Sequence, residues 1–198
     1  MSIAVLVSGQ GTNLQALITA GLPVGRVVSD RRSAPALERA AAAGIPTAVV
    51  RLKDFPDRDA FDVALAEACA GADLVVHAGF MRIVGPRYLE RFAGRCINVH
   101  PALLPAFPGL DAPAQAIAYG VKVTGCTVHF VDHGVDTGPV ILQEAVPVRP
   151  DDTAATLHAR IRAVEWRLLP QAARLFLDGR LRLEGRVVRV LPSGSAGG

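Results

Sequence analysis

The sequence predicts an α/β protein with a mostly parallel twisted sheet, helices on its faces in three layers, and an antiparallel hairpin in its C-terminal half. Three observations predict it. Ile3–Val7 and Asp73–His77 are continuous apolar runs, as strands buried on both faces require. Segments of helical spacing alternate with such runs through the first half of the chain. Glycines then stop the helical segments, at Gly44, Gly71, Gly120 and Gly179.

The elements follow in order. Ile3–Val7 runs into the turn Ser8-Gly9-Gln10-Gly11-Thr12-Asn13, and Leu14, Leu17 and Ile18 then take helical spacing. Strand, glycine-rich turn and helix form a phosphate cradle, because glycines admit an anion to the backbone and helix-start N–H groups point at it. Thr12 or Asn13 is expected to cap this helix. Val24–Ser29 is a second strand, Ala34–Ala43 a helix, Thr47–Val50 a strand and Asp57–Ala70 a helix. Ala78–Ile83 leaves the Asp73–His77 strand as a loop carrying apolar residues, a surface suited to an aromatic ring system, although ordinary core packing also explains it. His77, within an apolar strand, reads as a core histidine.

Cys96–Val99 is a short buried strand that Pro101 stops. Side chains alternate, so Asn98 and His100 point the same way at its C-terminal end, the end where open parallel sheets bind ligands. An amide and an imidazole there suit acyl chemistry; a capping Asn beside a surface His satisfies the same local pattern. Ala114–Tyr119 is a helix. Gly125–Val131 and Val140–Val148 form a hairpin around Asp132-His133-Gly134-Val135-Asp136-Thr137-Gly138. Thr153 caps an amphipathic helix with Leu157, Ile161, Val164 and Leu168 on one face; Pro170 kinks or restarts it, and Arg162 and Glu165 fall off the apolar stripe. Arg186–Val190 adds an edge strand. Residues 1–190 are expected to be a single domain and 191–198 a disordered tail.

Composition narrows the function. At 198 residues, 51% hydrophobic and 20% charged, the chain is globular. No apolar run is long enough for a membrane span, and no basic region precedes Ile3–Val7, so no membrane partner, no signal peptide and a cytoplasmic location are expected. Cys69, Cys96 and Cys126 are odd in number and widely spaced, which speaks against disulfides or zinc. The net charge is +3, with Lys53 and Lys122 the only lysines. Arginine suits phosphate and carboxylate, and without a basic run a small anionic substrate is preferred over nucleic acid. Two rival readings remain weak. Gly9, Gly11 and Asp30 half-match a dinucleotide fingerprint, but Leu14 stands at its third glycine. Asp132, His133 and Asp136 lack a further Cys/His cluster for a metal, so none is expected.

Four blocks, Ser8–Leu14, Ala78–Arg82, Asn98–Pro101 through Pro108-Gly109, and Val135–Gly138, occur here in an order and spacing that resembles the phosphoribosylglycinamide formyltransferase family of de novo purine synthesis. The resemblance runs from Ile3 to about Gly179. It implies a Rossmann-like formyltransferase fold and transfer of a formyl group from 10-formyltetrahydrofolate to glycinamide ribonucleotide, both small molecules. It implies that Gly11, Thr12 and Asn13 hold the substrate phosphate and Glu165 the glycinamide end. Arg58 would contact the folate, and Met81, Arg82, Ile83 and Val84 would line a pterin pocket with Asn98 and the loop Asp132, His133, Gly134, Val135 and Asp136. Asn98, His100 and Asp136 would be catalytic, with Asp136 raising the pKa of His100. A monomer or homodimer is expected. Asp111, Pro113 and Arg162 depart from the usual pattern.

Related activities fit less well. Formyltetrahydrofolate hydrolase resembles a chain with an added N-terminal regulatory domain and usually has His where Pro101 stands. Methionyl-tRNA formyltransferase resembles a longer chain with a C-terminal tRNA-binding domain. A non-catalytic nucleotide-binding module would not need Asn98, His100 and Asp136 together.

Overall fold

The computed structural model describes residues 1–192, so the expected tail lies outside the described residues except for Leu191 and Pro192. The chain forms two compact units, Met1–Asn98 and Val99–Gly198. The first alternates strand and helix: β1 (Ile3–Val7), α1 (Thr12–Thr19), β2 (Val24–Ser29), α2 (Pro35–Ala42), β3 (Thr47–Val49), a 3-10 turn (Leu52–Asp54), α3 (Arg58–Ala68), β4 (Leu74–His77), α4 (Pro86–Phe92) and β5 (Cys96–His100), whose last two residues open the second unit. The second continues with α5 (Ala112–Tyr119), β6 (Val123–Phe130), β7 (Val140–Pro147), α6 (Ala154–Leu177), β8 (Leu181–Glu184) and β9 (Val187–Val190). The strand order of the seven-stranded sheet is β3-β2-β1-β4-β5-β6-β7. The pairings of β1 with β2 and β4, of β2 with β3, and of β4 with β5 are parallel, and β6–β7 is the expected antiparallel hairpin.

The apolar runs are strands because they are buried on both faces: every residue of β1 and of β4 is buried. Leu14 and Leu17 of α1 and Phe61 and Leu65 of α3 complete the first core, fully buried. In the second, Leu157, Ile161 and Leu169 of α6 are fully buried, and the helix contacts β6 and β7. Asp57 and Thr153 cap α3 and α6, accepting the N–H groups of Ala60 and Thr156.

Several expectations need correction. Gly11, not Thr12 or Asn13, is the N-cap of α1; it is left-handed at φ 73° and makes no side-chain cap bond. Helix α4 was not foreseen, although Pro86 at its first turn and buried Tyr88, Leu89 and Phe92 carry its signal. Helix α6 runs unbroken through Pro170, whose ring is buried; Trp166, whose carbonyl loses its helical donor there, is on the solvent side at 44% exposed. The expected edge strand Arg186–Val190 is β9, Val187–Val190, and belongs not to an edge of the main sheet but to a separate two-stranded sheet, β8–β9. Glu165 is 4% exposed rather than solvated, while Val164 is only half-buried. No helix of the described residues is long and apolar enough to cross a membrane.

Candidate active site

The first unit brings the glycine turn and the loop after β4 together. Met81 N–H donates to Ser8 Oγ (2.8 Å), and Ser8 N–H to the Gly79 carbonyl (3.2 Å), so the two loops share one anchor. At Gly11 the turn passes so close to α2 that a Cβ would lie 2.6 Å from Ala36 Cβ. Helix α1 therefore starts at Thr12 with its first N–H groups outside the intrahelical ladder, while Asn13 is buried at 8% exposure.

In the loop after β4, Met81 and Ile83 stand 57% and 60% exposed, whereas Val84 turns inward. Two large apolar side chains left in water beside a rim site suit a flat aromatic ligand. Arg58 lies under this loop, donating to the Ile83 carbonyl. Arg82 Nε donates to Asp30 Oδ2 (2.8 Å), which commits the acid that the dinucleotide reading would give to a ribose. His77 is a satisfied core histidine: its Nε2 lies 3.0 Å from Tyr88 Oη and 3.3 Å from Cys96 Sγ. All three cysteines are free and buried, and burial pushes the Cys69 and Cys96 thiols up to about 12, so they are inert. Asn98, the Cα partner of His77, closes this unit at the C-terminal end of β5.

The second unit builds a charged cluster around Asp136. Its Oδ2 lies 3.3 Å from His100 Nδ1 and its Oδ1 3.5 Å from His129 Nε2. Each imidazole is fixed through its other nitrogen: His100 Nε2–H donates to the Phe107 carbonyl (2.8 Å) and His129 Nδ1–H to the Phe130 carbonyl (2.8 Å). Gly109 N–H donates to Asp136 Oδ2 (2.8 Å). Asp136 itself is left-handed at φ 54°, which costs strain for a non-glycine residue and aims the carboxylate. The loop that bears it is braced: Asp132 Oδ1 accepts from Thr137 Oγ1 (2.6 Å) and Gly134 N–H (3.1 Å), and Arg186 donates to the Thr137 carbonyl (2.6 Å). The stretch after His100 is held in turn, since Thr127 Oγ1 donates to the Ala102 carbonyl (2.6 Å) and Gln143 Nε2 to the Leu104 carbonyl (2.8 Å). His133, Gly134 and Val135 are exposed at the loop tip, and Glu165 is buried on α6.

Burial reverses one expectation. The His100 pKa is lowered, because removing the imidazolium from water outweighs the upward pull of Asp136 and the Phe107 carbonyl. Asp136 does pull as expected, but it is the smaller effect. Burial acts upward on Asp136 as well, yet the bonds from His129 and Gly109 and the charge of His100 together hold its pKa below the ordinary 3.8. The carboxylate is thus ionised beside a histidine that is neutral near pH 7, and a proton arriving at His100 Nδ1 lands next to a negative charge. The sequence reading missed His129. Its signal was the pairing of Thr127 and His129 on one face of an otherwise apolar strand.

Comparisons with known proteins show the family and the fold. The family model described as Formyl transferase matches residues 1–173. The phosphoribosylglycinamide formyltransferase of Mycobacterium tuberculosis is 50% identical over 190 residues, covering 93% of this chain and 88% of that protein. The trifunctional purine biosynthetic protein adenosine-3 of Homo sapiens is 43% identical over 189 residues, covering 91% of this chain and 19% of that protein. The crystal structure of glycinamide ribonucleotide transformylase 1 from Symbiobacterium toebii superposes with a TM-score of 0.95 at 52% identity, covering 97% of this chain and 94% of that one. The chain belongs to the formyl transferase family.

Proposed function

We infer that this protein transfers the formyl group of 10-formyltetrahydrofolate to the amine of glycinamide ribonucleotide, giving formylglycinamide ribonucleotide and tetrahydrofolate in purine biosynthesis. The observation that carries the reading is the ion-pair geometry of Asp136 and His100, 3.3 Å apart at the C-terminal end of β5, in a chain of this family. A carboxylate paired with a buried imidazole is equipment for an acyl transfer that needs no covalent enzyme intermediate.

In this mechanism the substrate amine attacks the formyl carbon, a C–N bond forms and negative charge develops on the formyl oxygen. Asn98 donates to that oxygen. His100, protonated from solvent at Nδ1 and paired there with Asp136, stabilises that charge as an imidazolium and keeps its proton through the turnover. Collapse breaks the bond from the formyl carbon to N10, and the amine proton passes to N10 through water. Gly11, Thr12 and Asn13 hold the phosphate at the start of α1, and Glu165 binds the glycinamide end. Met81 and Ile83 offer the apolar surface for the pterin, and Arg58, Arg82, Val84 and the residues of the Asp132–Asp136 loop are assigned to folate binding. The reaction uses soluble cytoplasmic metabolites, and no metal enters it.

The deciding assay mixes the protein with 10-formyltetrahydrofolate, with and without glycinamide ribonucleotide, and follows tetrahydrofolate and free formate. Tetrahydrofolate formed only with the nucleotide, and no formate, is expected. Formate released without the nucleotide would establish a hydrolase instead.

A further inference from the structure

Asp62, one helical turn after Arg58 on α3, is fully buried. Among the described residues neither of its carboxylate oxygens has a hydrogen-bond partner. Burial raises its pKa, and the Gly85 backbone and the charge of Arg58 pull it down only in part. A buried acid in this condition costs stability, and such costs concentrate where function requires them. A buried acid can also be a mere packing compromise. Its position separates the two.

Asp62 lies beneath the exit of the loop that carries the exposed Met81 and Ile83. That loop is pinned at its entry, where Met81 N–H donates to Ser8 Oγ. Its exit is held from α3. Arg58 donates to the Ile83 carbonyl, and Asp62, four residues on and on the same face of the helix, fills the space beside Gly85. A Cβ on Gly85 would run into Asp62 Oδ2 and lie 3.4 Å from its Cγ. The φ of Gly85 is −97°, open to any residue, so the carboxylate and not the backbone requires glycine here. Gly85 is also the N-cap of α4 and makes no side-chain cap bond, while its carbonyl accepts from Tyr88 (3.2 Å) and Leu89 (3.1 Å). Asp62 thus brings negative charge to the start of α4 from the helix packed against it.

We propose that Asp62 is a positioning residue for the co-substrate: with Arg58 it clamps the loop exit to α3 and holds Met81 and Ile83 as a preformed apolar ledge. The inference rests on the folate reading above. A preformed ledge removes an ordering cost from binding, so the clamp acts on the folate KM and not on the chemical step.

The test measures KM and kcat for both substrates, with Tm, in Asp62→Ala, Gly85→Ala and the double variant. Asp62→Ala should raise the KM for 10-formyltetrahydrofolate about fivefold, as when the ledge is formed about a fifth of the time. Its kcat and its KM for glycinamide ribonucleotide should stay within about twofold of native, and its Tm should not fall, because no hydrogen bond is lost. Gly85→Ala should raise the folate KM and lower Tm, since its methyl must displace the carboxylate. In the double variant the methyl takes the space the carboxylate leaves, so folate KM and Tm should both be closer to native than in Gly85→Ala. An unchanged folate KM in Asp62→Ala would overturn the proposal, as would effects of the two substitutions that simply multiply. Methyl NMR of Met81 and Ile83 reads the loop without substrate: their signals should shift in Asp62→Ala, and unmoved signals would also overturn it. Shifted signals in a protein that natively turns over no 10-formyltetrahydrofolate would instead overturn the folate reading and leave Asp62 a structural residue.

Discussion

His129 Nε2 lies 3.5 Å from Asp136 Oδ1, on the oxygen opposite the one that faces His100. One carboxylate thus serves two imidazoles, each anchored to a backbone carbonyl by its other nitrogen. The cluster holds a single imidazolium–carboxylate pair readily; a second proton would leave it with uncompensated buried charge.

Asp136→Asn removes the charge that receives His100 in its protonated form while preserving shape. Turnover should fall by about 10²–10⁴-fold, the usual scale of an acid–base contribution. Folate affinity, measured by calorimetry, should change little. Unaffected turnover would remove Asp136 from the mechanism.

His129 pushes the His100 pKa down through like charge and lowers that of Asp136 by its hydrogen bond. His129→Gln should therefore raise both. Following the His100 ring proton by NMR across pH 4–8 checks this; a midpoint that stays put or moves down would show that His129 does not act on the pair.

Acid should destabilise the fold in a defined window. The folded pKa values of His100 and His158 lie below the ordinary 6.5, by burial above all. Between that folded value and about 6.5 the unfolded chain binds more protons, so stability rises with pH there and is lost as pH falls below about 6.5. Asp136, with its folded pKa below 3.8, adds a second loss as pH falls further through that lower value. Urea unfolding at pH 5.5 and 7.5 should show the native protein weaker at pH 5.5, with the difference reduced in His158→Gln. A protein stronger at pH 5.5 would reverse the assigned sign.

Gly11 combines a left-handed backbone with contact to α2. Gly11→Ala should cost about 1–3 kcal/mol from the strained φ and the displaced Ala36, lowering Tm by about 3–10 °C. It should also raise KM for glycinamide ribonucleotide by distorting the start of α1. An unchanged Tm would mean that the turn relaxes freely.

The sequence by itself determined what depends on neighbours along the chain. Buried strands announce themselves in runs such as Ile3–Val7, and caps and stops in Asp57, Thr153 and Gly179, because burial on both faces and terminal hydrogen bonding select residue types locally. The order of the four blocks, from Ser8–Leu14 to Val135–Gly138, was legible through its resemblance to the formyltransferase family. Helix α4 was also written locally, in Pro86, Tyr88, Leu89 and Phe92, and was overlooked. The tertiary structure decided whatever depends on what surrounds a side chain. Glu165 is off the apolar stripe of α6 yet buried, and Pro170 sits in an unbroken helix, since packing overrides propensity. His129 meets Asp136 only because β6 and the loop after it fold back on each other. The sign of the His100 shift was decided last: pairing with Asp136 is a local attraction, but desolvation comes from every atom packed around the ring, and here it is the larger effect.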